Sequence, residues 1–288
     1  MRLDGRRESI NVDDRRGRSM SVGKASGIGL GGAVVLGLVI MLLGGNPLEV
    51  LQYVGSPDSG TATESTWVPS EQEEELARFT KQILAGTEDV WTDIFSRYGQ
   101  TYVPPKLVLF SGAVQSGCGG ATSSSGPFYC SADQCVYIDL SFFMSMKQQI
   151  GADGDFAYAY VIAHEVGHHV QYLLGTLGQA HKQMSRLSEK ESNKISVRLE
   201  LQADFYAGVW AYHDNRMFDS LEDGDIEEGL AVASKIGDDY LQKQAYGYTV
   251  PDSFNHGTSQ QRSRWLRKGL SCGDIKQGDT FTPNYDSL

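Results

Sequence analysis

From Gly27 to Leu43 the chain runs seventeen residues without a charge, and Gly44-Gly45 extend the run to nineteen. A run of that length has to be taken up by lipid or by a protein core. At a helical rise of about 1.5 Å per residue it is about enough to cross a ~30 Å hydrocarbon layer. A cleaved signal peptide would show a shorter apolar region and an A-x-A-like cleavage site, and neither is evident here. The glycines of the run, among them Gly27, Gly29, Gly31, Gly32 and Gly37, weaken a helix in water but are tolerated in membranes. The first 24 residues hold seven basic and four acidic side chains, a net charge of +3, whereas the whole chain of 288 residues carries −11. The positive-inside rule then predicts a single-pass anchor with a cytoplasmic N-terminus and everything after residue 45 outside. The expected organisation is a basic tail (1–26), a transmembrane helix (27–45), a Gly/Ser/Thr/Pro-rich linker (46–70) and one domain (71–288). The acidic balance of that domain argues against nucleic acid as a partner, because phosphate binding needs a basic surface.

Within the domain, Leu76, Phe79, Ile83, Leu84, Val90, Trp91, Ile94 and Phe95 recur at helical spacing from Glu71 onward, and Pro104-Pro105 stop the pattern. Lys106 to Phe110 and Gln134 to Leu140 read as strands on either side of a Gly/Ser-rich loop. Helices are expected from Asp155, as cap, to about Leu174, from near Ser192 to Tyr212, from near Asp225 to Gln242, and from Ser259 to Lys268. The fold class is therefore α+β, helix-rich with a small sheet. Cys118 and Cys130 flank the Gly/Ser-rich loop and are the preferred disulfide, leaving Cys135 and Cys272.

His164 and His168 lie four residues apart in an apolar stretch that includes Val161, Ile162, Ala163 and Val170. On a helix that spacing presents two imidazoles to one point, as a tetrahedral zinc ion requires. Burying such groups without a ligand would be costly. Glu165 stands about 100° round the helix from His164, placed to take a proton from water acidified by zinc rather than to ligate. His169 also points about 100° away from His168 and is a poor ligand. For the third ligand, Glu200 has a stronger claim than the isolated His181, His213 or His256. From Glu200 one helical face reads Glu200, Ala203, Asp204, Ala207, Gly208, Ala211. Small residues allow close approach to another helix, and Asp204 would orient a ligand histidine through its free ring nitrogen.

These segments resemble the bacterial neutral zinc metallopeptidase family, a group of membrane-anchored H-E-x-x-H zincins. The resemblance rests on Ser125–Cys130, Val136–Phe143, Ala159–Gln171, Arg198–Asp204 and His256–Arg262, spread over most of residues 105–265. It implies a zincin-like domain, zinc held by His164, His168 and Glu200, and Glu165 as general base. It also implies an inner-membrane protein whose domain lies on the periplasmic side. Phe205 departs from the pattern, since related sequences often carry Cys there, which leaves Cys135 and Cys272 without an assigned pairing.

The expected reaction is hydrolysis of a peptide or protein substrate, and the resemblance to zincins implies that Val136 to Asp139 forms the sheet edge along which substrate is added. His256 is a candidate donor to the developing oxyanion, with Tyr206, Tyr212, Tyr246 and Tyr248 as others. The cluster Arg262, Arg264, Arg267 and Lys268 reads as a solvated helix face paired with local acids. The competing readings are a membrane-tethered scaffold with a structural zinc site, and hydrolysis of a non-peptide amide. Three convincing ligands and a base favour catalysis, because structural zinc is usually closed by four protein ligands.

Overall fold

The computed structural model describes residues 1–18, 67–151 and 154–288. The uncharged run lies outside these residues, and no helix among them is long and apolar enough to cross a membrane. The described chain is helix-rich α+β, with strands β1 (Val12–Asp14), β2 (Lys106–Phe110), β3 (Ala113–Ser116), β4 (Gly119–Thr122), β5 (Phe128–Cys130) and β6 (Cys135–Asp139). The helices are α1 (Glu71–Arg97), α2 (Ser141–Ile150), α3 (Asp155–Leu173), α4 (Thr176–Met184), α5 (Glu189–Phe218), α6 (Asp225–Lys235), α7 (Asp238–Tyr246) and α8 (Ser259–Cys272).

Helix α1 begins where Ser70 and Glu73 cap it reciprocally. The Ser70 hydroxyl accepts the Glu73 N–H at 3.2 Å, and the Glu73 carboxylate accepts the Ser70 N–H at 2.9 Å. Such a cap contributes about 1 kcal/mol, and Glu71, Glu73 and Glu74 in the first turn suit the positive end of the helix. The helix stops at Arg97, ahead of the prolines, in a turn where Gly99 takes a φ of +69°. Gly154 rather than Asp155 occupies the cap position of α3. The single helix expected over 225–242 is two, because the chain bends at Gly237, where a side chain would strike the backbone of Ser259.

The main sheet has the order β1-β2-β6-β5. β6 runs parallel to β2 and antiparallel to β5, so both of its edges are paired. This corrects the expectation that Val136 to Asp139 forms a free edge. The edge strand on the β6 side is β5, joined to β6 by the tight turn Ser131–Gln134, in which Gln134 takes a φ of +57°. The Gly/Ser-rich stretch before it contains the β3–β4 hairpin, and the disulfide Cys118–Cys130 ties that hairpin to β5. Cys135 and Cys272 are free thiols.

Residues 1–18 do not stand apart as a tail. β1 pairs in parallel with β2, Val12 opposite Leu107 and Asp14 opposite Leu109. The basic side chains that suggested a membrane orientation bind acids of the domain: Arg2 to Asp219, Arg6 to Asp214, Arg7 to Glu88, and Arg16 to Glu74. Arg16 also lies over the Trp67 ring, 5.5 Å from its centroid. The chain therefore leaves the described body at residue 18 beside the point where it re-enters at residue 67.

Helices α3 and α5 cross at the centre of the molecule. A Cβ on Gly167 would lie 2.9 Å from the Ala203 carbonyl oxygen, so only glycine permits this approach. The same small-residue face of α5 meets α8, where a Cβ on Gly208 would come within 2.9 Å of Gly269 Cα. The small face starting at Glu200 thus sets the distance between the three helices that carry the polar residues described next.

Candidate metal centre

The close crossing of α3 and α5 sets the carboxylate of Glu200 against both imidazoles of the motif helix. His164 Nε2 is 3.1 Å from Glu200 Oε2, and His168 Nε2 is 3.4 Å from Glu200 Oε1. One ligand atom from each of His164, His168 and Glu200 falls within 4.8 Å of the others. The opposite ring nitrogens are both engaged. His164 Nδ1 lies 2.8 Å from Asp204 Oδ1, and His168 Nδ1 lies 2.9 Å from Gln171 Oε1. The Gln171 amide cannot usefully be flipped, since its nitrogen donates to the Leu199 carbonyl at 2.7 Å and to Gln202 Oε1 at 3.2 Å.

Each imidazole therefore donates through Nδ1 and turns an Nε2 lone pair toward a carboxylate. Two such lone pairs facing an anion repel unless a cation sits among them. The donor set of two nitrogens and one carboxylate is the one that suits zinc in an open catalytic site. Without an ion, protons take up part of this role. Burial opposes protonation of His164, but Asp204 and Glu200 outweigh it and push its pKa up to about 10. Burial would raise the Glu200 carboxyl, yet the two histidines hold it well below the usual range.

Asp204 is fully buried and sits at the hub of the support. It accepts hydrogen bonds from the Tyr160 hydroxyl at 2.6 Å and from Arg262 Nε and Nη2 at 2.8 and 2.9 Å. Burial would raise its carboxyl, but Arg262 and then His164 keep it lowered. Arg262 is itself only 4% exposed, and its Nη2 reaches within 3.9 Å of Glu200. The expectation of a solvated basic face thus fails at Arg262. Its place on a short helix suggested a surface, whereas the glycine contacts of α8 with α5 draw it inward. Arg264, by contrast, bonds the C-terminal backbone at Leu288.

Glu165 lies beside the two histidines at the cavity wall, and burial raises its carboxyl while the histidines partly offset that. His169 turns away from the centre, as its position on the helix requires. Its Nδ1 meets the Tyr129 hydroxyl at 2.9 Å and its Nε2 donates to the Val103 carbonyl at 2.7 Å. Burial pushes it down to about 4, so it is a neutral strut. His213 likewise serves the backbone, donating to the Gly273 carbonyl at 2.8 Å.

A cavity of about 490 Å³ opens onto the centre and is also lined by His181, His256, Tyr129 and Tyr160. His256 Nδ1 donates to Asp238 Oδ1 at 3.1 Å. Asp238 Oδ2 in turn accepts the backbone N–H groups of Asn255, His256 and Gly257 at 2.7–2.9 Å. The loop carrying His256 is thus clamped to the start of α7, and the second ring nitrogen is left for the cavity. Tyr206, Tyr212, Tyr246 and Tyr248 do not line that cavity. Tyr206 packs edge-on against Trp91 in the core. Tyr160, Gln171 and Arg262 are the supporting residues missing from the sequence reading. Gln171 was findable at three residues beyond His168, but nothing in the sequence pairs Arg262 with Asp204.

The family described as "Putative neutral zinc metallopeptidase" matches residues 1–281. The chain is 49% identical over 289 residues to "Uncharacterized protein YpfJ" of Escherichia coli K12, covering 98% of this chain and 99% of that one. It is 44% identical over 191 residues to "Uncharacterized protein Rv2575" of Mycobacterium tuberculosis H37Rv, covering 63% and 64% of the two chains. No solved structure matches.

Proposed function

Since the chain belongs to the neutral zinc metallopeptidase family, we propose that it hydrolyses peptide bonds at a zinc site formed by His164, His168 and Glu200. The observation that carries this reading is the pair of Nε2 atoms held against the Glu200 carboxylate by hydrogen bonds at both Nδ1 atoms. Zinc would polarise the scissile carbonyl and acidify water. Glu165, whose carboxyl burial raises above its ordinary value, takes the proton from the attacking water and returns it to the leaving amine. His256, held by Asp238, is the donor available to the developing oxyanion on the cavity side. Substrate would add to β5, whose outer edge is unpaired among the described strands and whose Phe128 and Tyr129 line the cavity. Three protein ligands opening onto a cavity support catalysis over a closed structural site.

The test is zinc content and peptide turnover on the full chain. We expect one zinc per chain in wild type and its loss in His164→Ala and Glu200→Ala. Glu165→Gln should keep the metal and lose about 10²–10⁴-fold in turnover, the usual contribution of a general base. A Glu165→Gln protein of unchanged activity would remove Glu165 from the mechanism.

We also propose that the protein meets the membrane through the segment holding residues 27–45, with residues 1–18 and 67–288 together on one face. Strand pairing of β1 with β2 supports the shared face, and the disulfide supports an oxidising compartment. Ile10 and Val68 are both well exposed. Cysteines placed there one at a time should react alike with a membrane-impermeant thiol reagent in intact cells or spheroplasts. Labelling of one position but not the other would restore the single-pass arrangement.

A further inference from the structure

The cavity that opens onto the metal centre has a composition of its own. Among the described residues, its only Asp, Glu, Lys or Arg side chains are Glu165, Glu200 and Arg262, all of which belong to the centre. Ser145, Ser196, His181 and His256 also line it, and much of the remainder forms two apolar walls drawn from separate hydrophobic clusters. Phe142, Met146, Val161 and Val232 of α2, α3 and α6, with Ile236 just after α6, are continuous with the main core. Leu177, Met184 and Leu199 come from α4 and α5 and belong to a smaller cluster.

The walls lie toward opposite ends of the motif turn. Val161 is one turn before His164 on α3, whereas Leu177 follows the end of that helix at Leu173. Phe128 and Tyr129 of the edge strand line the cavity between the loop Ser125–Pro127 and Ser131. At about 490 Å³ the space has the size of an ordinary ligand site and exceeds what the metal centre alone requires.

We propose that the site is built for extended peptide segments with a large apolar side chain on each side of the bond to be cut. This rests on the peptidase reading and names its substrate class. An apolar side chain leaving water for either wall gains free energy, while a charged one loses hydration and finds no partner there. Segments of that kind are buried in folded proteins, and surface loops are mostly polar. The substrates are accordingly unfolded or membrane-released chains rather than the loops of folded ones.

The experiment uses the full chain carrying Glu165→Gln and loaded with zinc, so that bound peptide is not consumed. Fluorescein-labelled peptides of equal length and identical flanks would carry central Phe-Leu, Lys-Lys, Glu-Glu or Ser-Ser, with affinity read by anisotropy. The Phe-Leu peptide should bind about 10- to 100-fold more tightly than each of the others. Equal or tighter binding of any of the other three, or no measurable binding of Phe-Leu, overturns the proposal. Ile236→Glu and Met184→Glu each place a charge on one wall and should each weaken Phe-Leu binding at least fivefold; should either fail to fold, the peptide comparison still decides. Cleavage by the wild-type protein separates the two readings. If Phe-Leu binds tightly but no peptide is cut, peptide hydrolysis fails and the apolar site stands. If cutting occurs only at the charged pairs, hydrolysis stands and the apolar site fails.

Discussion

Helix α5 carries two fully buried aspartates ten residues apart, Asp204 and Asp214, and each is gripped by two nitrogens of one arginine. Arg262 holds Asp204 at 2.8 and 2.9 Å, and Arg6 holds Asp214 at 2.6 and 2.9 Å. Viewed as ion pairs they are nearly equivalent, yet their surroundings differ. Asp214 is closed by Arg6, which stacks on Phe218, and by Gly86, whose missing side chain leaves room for the pair. Asp204 is also bonded to Tyr160 and His164, and through His164 it reaches a cavity. A buried ion pair is thus no mark of function by itself. What marks Asp204 is its link to a titratable ring whose other nitrogen meets Glu200 at the cavity wall.

The comparison breaks most visibly at Arg6. Replacing it by alanine strands the Asp214 charge in the interior, a change that costs about 3–5 kcal/mol for a buried pair. We expect denaturant or thermal unfolding of Arg6→Ala to show that loss, while zinc per folded chain stays at the wild-type value. Loss of zinc from the folded fraction would mean that the two aspartates are coupled along α5 and that the distinction drawn here is wrong.

Asp204→Asn probes the other side. Asparagine keeps the shape but cannot neutralise Arg262 or hold His164 as strongly, and losing such a supporting carboxylate lowers metal affinity about 10- to 100-fold. That corresponds to about 1.4–2.7 kcal/mol in binding. Competition with a zinc chelator measures it, and affinity within twofold of wild type would reduce Asp204 to a partner of Arg262 alone.

The contrast also shows what the sequence can reveal. Local pattern exposes α1 by an apolar face repeated over several turns, and α3 and α5 by long apolar and small-residue stretches that are buried all round. The candidate metal cluster is legible locally too, since His164 and His168 share a helix and Glu200 heads a small-residue face. The pairings that close the structure are long-range and leave no local trace. Arg6 meets Asp214 across 208 residues and Arg262 meets Asp204 across 58. Without those partners, Arg6 reads as part of a basic tail and Arg262 as part of a solvated face. β6 was legible as a strand, but its interior place depends on β5, three residues long, which has too little pattern to stand out. The two helices flanking the cavity, α2 and α4, are ten and nine residues long and were missed for the same reason.

The smallest expected effect lies at the clamp of His256 by Asp238, a pair that is neither fully buried nor joined by a hydrogen bond to His164, His168 or Glu200. The His256 side chain remains 30% exposed. Burial lowers its pKa, but the hydrogen bond and charge of Asp238 outweigh this and raise it above the ordinary 6.5. A proton bound more tightly in the folded state stabilises that state. The contribution is fully present below the unfolded value, near 6.5, and disappears as pH rises through the higher folded value. Unfolding of wild type and His256→Gln, followed from pH 5.5 to pH 9, should therefore show a stability gap that is widest at the acid end and narrows with rising pH. Asp238 keeps its three backbone donors in both proteins, so the gap isolates the imidazole. A gap that widens toward alkaline pH would show that His256 is held neutral in the fold, and the loop would then owe its position to the backbone hydrogen bonds alone.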